Sequence, residues 1–145
     1  MRVLLDTQCW LYWLLDPDRL NAEAYRLFEE NRHPLYLSAA SSWEIAIKSA
    51  LGKLLLPHPA REYVPARLRE HGVTPIPIEH SHALQAGALP DHHDDPFDRL
   101  LVAQAQVDAF KLLTTDPQML RYDVEVVWAS RDPRPRGKSR ARPSR

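Results

Sequence analysis

The feature that most constrains this chain is an alternation of short apolar runs with longer stretches of helical periodicity. Residues 2–5 (RVLL), 35–38 (LYLS), 73–78 (VTPIPI), 110–114 (FKLLT) and 124–127 (VEVV) have the length and β-branched or aliphatic content of buried strands. Between them, residues 7–15, 21–32, 40–51, 59–70, 79–88 and 96–109 place apolar side chains at helical intervals. Asp16-Pro17 stops the first of these helices, Gly52 and Gly72 suit helix ends, and Ser38 or Ser41 can cap the third. Pro65 falls inside the fourth, where it removes a backbone donor. Strands that alternate with helices need crossover connections, which make neighbouring strands parallel and cover the sheet on both faces. The predicted fold is therefore α/β: a three-layer α/β/α sandwich with a mostly parallel central sheet. Pro75 and Pro77 cannot donate to a ladder, so their strand belongs at an edge.

With 145 residues and no internal composition break, one domain accounts for most of the chain. Charge divides it in two. Residues 131–145 carry seven Lys and Arg against one Asp, a net of +6, whereas residues 1–130 hold 12 basic and 18 acidic groups, a net of −6. The expected organisation is a folded unit over residues 1–130 and a basic, Pro- and Arg-rich disordered tail over 131–145. Such a tail can steer polyanions, or simply keep the terminus solvated. Cys9 has no partner for an internal disulfide and reads as a small packed residue. No apolar run is long enough to span a bilayer, and the N-terminus lacks a signal-peptide pattern, so the expected location is cytoplasmic.

Placed on this α/β scheme, four acids stand out: Asp6, Glu44, Asp98 and Asp116. Asp6 directly follows the first strand and interrupts a buried apolar run, while Asp116 follows the fourth strand. Glu44 lies early in the helix after the second strand. Asp98 sits in the first turn of a helix whose start, Asp95-Pro96, has the residue types of an N-cap and first helical position. Ligands of open α/β sheets bind beyond the carboxyl ends of the strands, the edge to which all four acids are directed. Carboxylates gathered there repel one another unless a cation compensates them, and hard Mg²⁺, or Mn²⁺ in its place, favours such oxygen donors. Each acid also has a local structural alternative. Asp98 and Asp116 suit helix starts, and Glu44 can pair with Lys48 one turn on.

The contexts of these acids are more specific than their spacing. LLDTQCWLYWL at 4–14, SSWEIAIKSALGKL at 41–54, DDPFDRLLVAQA at 94–105 and LLTTDPQML at 112–120 stand in an order that resembles PIN-domain nucleases, in particular the VapC-like toxins of type II toxin–antitoxin modules. The resemblance spans about residues 1–128. It implies a PIN-like fold and a Mg²⁺-dependent endoribonuclease whose metal-activated water hydrolyses an RNA phosphodiester. It also implies inhibition by a cognate antitoxin protein and a homodimeric state. By position it makes Asp6, Glu44 and Asp98 the core metal-site acids and Asp116 a more variable fourth. Thr7, Lys48, Arg99 and Thr115 become candidates to hold the substrate phosphate, and Asp116 or Glu44 to accept the proton of the attacking water. Two positions depart from the pattern: Gln8 where similar toxins often have His, and Asp94 where they often have Arg.

Other chemistries fit less well. His80, His82, His92 and His93 lack the i,i+4 spacing of a helical zinc pair and have no Cys beside them; His92 and His93 read as lining a substrate entrance or as solvated. An aspartyl phosphatase usually carries a second Asp where this chain has Gln8. A non-catalytic PIN-like module that binds RNA or protein is the alternative from another class. Trp10, Trp13 and Trp43 are expected to pack in the interior or, where exposed, to anchor a protein partner.

Overall fold

A computed structural model of the chain describes residues 1–136; the rest of the basic tail, residues 137–145, lies outside the described residues. Among the described residues five strands form a single sheet: β1 (Val3–Leu5), β2 (Leu35–Ser38), β3 (Val73–Ile76), β4 (Lys111–Thr114) and β5 (Val126–Trp128). Their order is β3-β2-β1-β4-β5, and every pairing is parallel. The chain first builds outwards from β1 through β2 to β3, then returns to the other side of β1 to add β4 and β5. This reversal puts a topological switch point between β1 and β4, where their carboxyl ends diverge. β3, with Pro75 in it, is an edge strand as that proline requires.

The helices are α1 (Thr7–Leu15), α2 (Ala22–Glu30), α3 (Ala39–Ala50), α4 (Ala60–His71), α5 (His80–Ala88) and α6 (Pro96–Asp108), with short 3-10 turns at Pro17–Arg19 and Pro117–Arg121. α4 runs through Pro65 and ends at Gly72, whose φ of 65° is the left-handed conformation that glycine adopts at least cost. Alternating strand residues feed two cores. Val3 and Leu5 of β1, with Leu35, Leu37, Leu113 and Val127, pack against α1 to α4. Leu4 and Leu112 face the opposite way, onto Ala86, Leu101, Val102, Ala105 and Met119 from α5, α6 and the second 3-10 turn. The result is the three-layer α/β/α sandwich. Among the described residues no helix is long and apolar enough to cross a membrane.

Two readings of the surface change. Trp10 is fully buried and Trp13 half-buried, but Trp43 is 63% exposed. α3 buries Ala40, Ser41, Glu44 and Ile45, and the face with Trp43, Ala46, Ala50 and Leu51 looks outwards. The segment assigned to the tail also begins on the domain. Trp128 Nε1 donates to Asp132 O at 2.8 Å, and Arg131 donates to Asp18 O at 3.1 Å.

Candidate active site

Asp6 takes the N-cap position of α1 with extended backbone, yet its carboxylate makes no capping hydrogen bond. Asn21, Ser38 and Asp95 use their side chains to cap α2, α3 and α6. Asp6 instead accepts a 2.6 Å hydrogen bond from the Thr114 hydroxyl at the end of β4, and its own N–H donates to Leu113 O. The neighbouring strands β1 and β4 thus present their ends together. Thr114 Oγ1 also accepts the Asp116 N–H at 3.0 Å, so one buried hydroxyl ties both acids to the switch point.

Ser38 caps α3 and starts it at the carboxyl end of β2, which brings Glu44 to the same edge. Glu44 is 6% exposed; Oε2 meets Lys48 Nζ at 2.8 Å, and Oε1 is buried with no partner. Asp95 caps α6 by accepting from Phe97 N and Asp98 N, so the Asp98 side chain is released from capping. A cavity of about 220 Å³ is lined by Asp6, Thr7, Gln8, Glu44, Lys48, Asp95, Asp98, Thr115 and Asp116. It opens beside a cleft of about 630 Å³ that shares Glu44, Lys48 and Asp95 and adds Ile47, Phe97 and residues 91–94.

The four acids therefore converge, together with Thr7, Lys48 and Thr115. Arg99 does not join them. Its guanidinium donates to Pro90 O, Ala86 O and Leu89 O at 2.8–3.2 Å, satisfying carbonyls at the end of α5. The reason is helical geometry: residues adjacent in sequence lie about 100° apart round the axis, so Asp98 and Arg99 leave α6 in different directions. The Thr7 hydroxyl donates to Ser41 Oγ at 2.7 Å and links α1 to α3.

His93 was expected at an entrance or in solvent and is found inside the cluster. Its Nε2 lies 3.0 Å from Asp98 Oδ2 and 2.9 Å from Asp116 Oδ2, with only 16% of its side chain exposed. Together His93, Asp98 and Asp116 offer ligand atoms within 4.8 Å of one another. The signal that could have found His93 is its position two residues before a capping Asp, which turns the loop back over the helix start. Thr114 was missed because a β-branched residue inside an apolar run reads as core.

Electrostatics at this edge are unfavourable for carboxylates alone. Burial, reinforced by the charges of Asp116 and Glu44, pushes Asp6 up to about 6 despite the opposing Thr114 hydrogen bond. Burial first, then Asp6, Asp95, Glu44 and Asp116, pushes Asp98 up to about 8. Lys48 is raised by its hydrogen bond to Glu44. Crowded hard oxygens, one of them buried without any hydrogen-bond donor, are the donor set that a Mg²⁺- or Mn²⁺-sized cation satisfies.

Similarity to known proteins agrees with this architecture. The PIN domain family model matches residues 3–125. Ribonuclease VapC22 of Mycobacterium tuberculosis is 32% identical over 118 residues, covering 81% of this chain and 88% of that protein. Ribonuclease VapC16 of the same organism is 44% identical over 68 residues, a match that spans 47% of this chain and about half (48%) of its relative. Among solved structures, VapBC2 from Rickettsia felis, bound to a DNA fragment from its promoter, superposes with a TM-score of 0.67 at 14% identity, covering 88% of this chain and 98% of that one. FitAcB from Neisseria gonorrhoeae superposes with a TM-score of 0.59 at 21% identity, covering 86% and 95%. The family match over residues 3–125 and the 32% identical relative together make this chain a VapC-like member of the PIN-domain family.

Proposed function

We propose that this chain is a divalent-metal-dependent endoribonuclease and the toxin of a type II toxin–antitoxin pair. The observation that carries the reading is the convergence of Asp6, Glu44, Asp98 and Asp116 on one cavity, with Glu44 Oε1 buried and unpartnered there. The relatives named ribonucleases supply the substrate class. Asp6, Glu44 and Asp98 would hold the cation, Mg²⁺ or Mn²⁺, with Asp116 at its side. When bound, such an ion lowers the pKa of a coordinated water and offsets charge on the phosphoryl oxygens.

The chain's own residues do the rest. Asp116 or Glu44 would accept the proton of the attacking water. Lys48, held beside Glu44, brings positive charge to the scissile phosphate, and Thr7 and Thr115 line its place. Arg99 has no part in this, because carbonyl oxygens occupy its guanidinium. An antitoxin is the proposed protein partner, supported by a structural neighbour from Klebsiella pneumoniae that is a toxin–antitoxin complex. Trp43 and Leu51, each 63% exposed, give it or a second copy in a homodimer an apolar surface. A cytoplasmic location is part of the same reading.

Cleavage of end-labelled RNA by the purified chain in Mg²⁺, stopped by EDTA and restored by excess Mg²⁺, is the expected result. Binding of RNA without cleavage in either Mg²⁺ or Mn²⁺ would overturn it in favour of a non-catalytic PIN-like module.

A further inference from the structure

His93 is held from both sides of its ring. Nδ1 accepts the Asp95 N–H at 3.2 Å, and Asp95 is itself fixed by capping α6. A neutral imidazole carries one N–H, so an accepting Nδ1 leaves the proton on Nε2. Nε2 therefore donates to Asp116 Oδ2 at 2.9 Å, with Asp98 Oδ2 3.0 Å from the same nitrogen, and in this tautomer it has no lone pair to offer a metal. Asp116 is committed as well. Its Oδ1 accepts the Gln118 N–H at 2.9 Å, its Oδ2 takes His93, and its backbone N–H is on Thr114.

We propose that His93 is a positioning residue for the metal-binding acids: held by its hydrogen bond to Asp116, its ring edge lies 3.0 Å from Asp98 Oδ2 and sets that carboxylate, and Asp116 acts by anchoring His93 rather than as an independent ligand. The proposal rests on the metal-dependent reading above. Outer partners of this kind orient a ligand and typically govern metal affinity by a factor of about 10–100. The order Asp116–His93–Asp98 also accounts for the different treatment of the acids. Glu44 keeps a buried oxygen without a hydrogen-bond partner, whereas Asp116 has both oxygens hydrogen-bonded.

The test is calorimetric titration of Mn²⁺ into the full chain and into His93→Ala, Asp116→Asn, the double variant and His93→Gln. Each single removal should weaken Mn²⁺ binding by roughly 10- to 100-fold. Because both act through one contact, the double variant should be no weaker than the worse single. His93→Gln keeps a side-chain N–H and should recover part of the loss; compared with Asp116→Asn, it also carries the test if His93→Ala does not fold. Unchanged or tighter binding in His93→Ala, or losses that multiply in the double variant, would overturn the proposal while the metal site stands. Failure of the unsubstituted chain to bind Mn²⁺ would overturn both.

Discussion

The molecule contains two histidine–aspartate pairs built to the same local plan at opposite ends of the sheet. His82 accepts the Glu79 N–H at Nδ1 (2.9 Å) and meets Asp108 Oδ2 through Nε2 at 2.8 Å. His93 accepts the Asp95 N–H at Nδ1 and meets Asp98 and Asp116 through Nε2. Asp108 closes α6 just before β4, near the amino ends of the strands, with Arg2 donating to its carbonyl. There the pair joins α5 to α6, and no second acid meets the ring. The His93 pair lies beyond the carboxyl ends, where the β1–β4 switch point adds Asp6 and α3 adds Glu44. One motif is thus a staple at one end of the sheet and part of a charged cluster at the other. Topology, not the motif, makes the difference.

The sharpest way to break this comparison is to neutralise the acid of each pair. Asp98→Asn should lower Mn²⁺ affinity by more than the roughly 10- to 100-fold expected of an outer partner, while Asp108→Asn should leave it unchanged in the same titration. Equal effects would dissolve the distinction.

A second, smaller effect concerns pH. Asp6 and Asp98 are raised to about 6 and about 8 in the folded chain from an ordinary 3.8. The folded state then binds more protons than the unfolded one between these values, so stability falls as pH rises. Their contribution is complete below about pH 4 and is lost as pH climbs through 6 and 8. In EDTA the melting temperature should fall from pH 5 to pH 8. Mg²⁺ should restore more of it at pH 8, where the carboxylates are ionised. A flat profile would argue that burial and neighbouring charge do not raise these acids.

Removing the staple should act on stability alone. His82→Ala takes away a buried ring and two hydrogen bonds, and should cost about 1–3 kcal/mol in denaturant unfolding, with Mn²⁺ affinity intact. The smallest effect expected is at the tail. The cleft's Lys48 is paired with Glu44, and residues 137–145 add four basic groups and no acid. Deletion after Arg136, which spares the contacts of Asp132 and Arg134, should raise KM for RNA and flatten its salt dependence. An unchanged KM would leave the tail no role in holding substrate.

Much of this architecture was legible because it depends on local patterns. Apolar runs specified the strands, Asp95-Pro96 the start of α6, Pro75 the edge, and the contexts of Asp6, Glu44 and Asp98 their common destination. What could not be read depends on tertiary direction. Arg99 follows Asp98 in sequence, yet one step round a helix sends it to the carbonyls of α5. Trp43 reads as interior or, where exposed, as a partner anchor; α3 buries the face of Ser41 and Ile45, so the indole is left outside against Phe97. His93 lies in a polar loop without periodicity, and only the turn made by Asp95 aims it inwards. Thr114 looks like any strand residue until its hydroxyl is seen on Asp6.

In the proposed function, acids gathered at the carboxyl end of the sheet let this chain cut RNA through a bound cation. Cleavage of labelled RNA in Mg²⁺ by Asp6→Asn, compared with the unsubstituted chain, tests it most directly. The account predicts cleavage by the unsubstituted chain and none by Asp6→Asn, with circular dichroism unchanged. A rigorously purified Asp6→Asn protein that still cuts would contradict it.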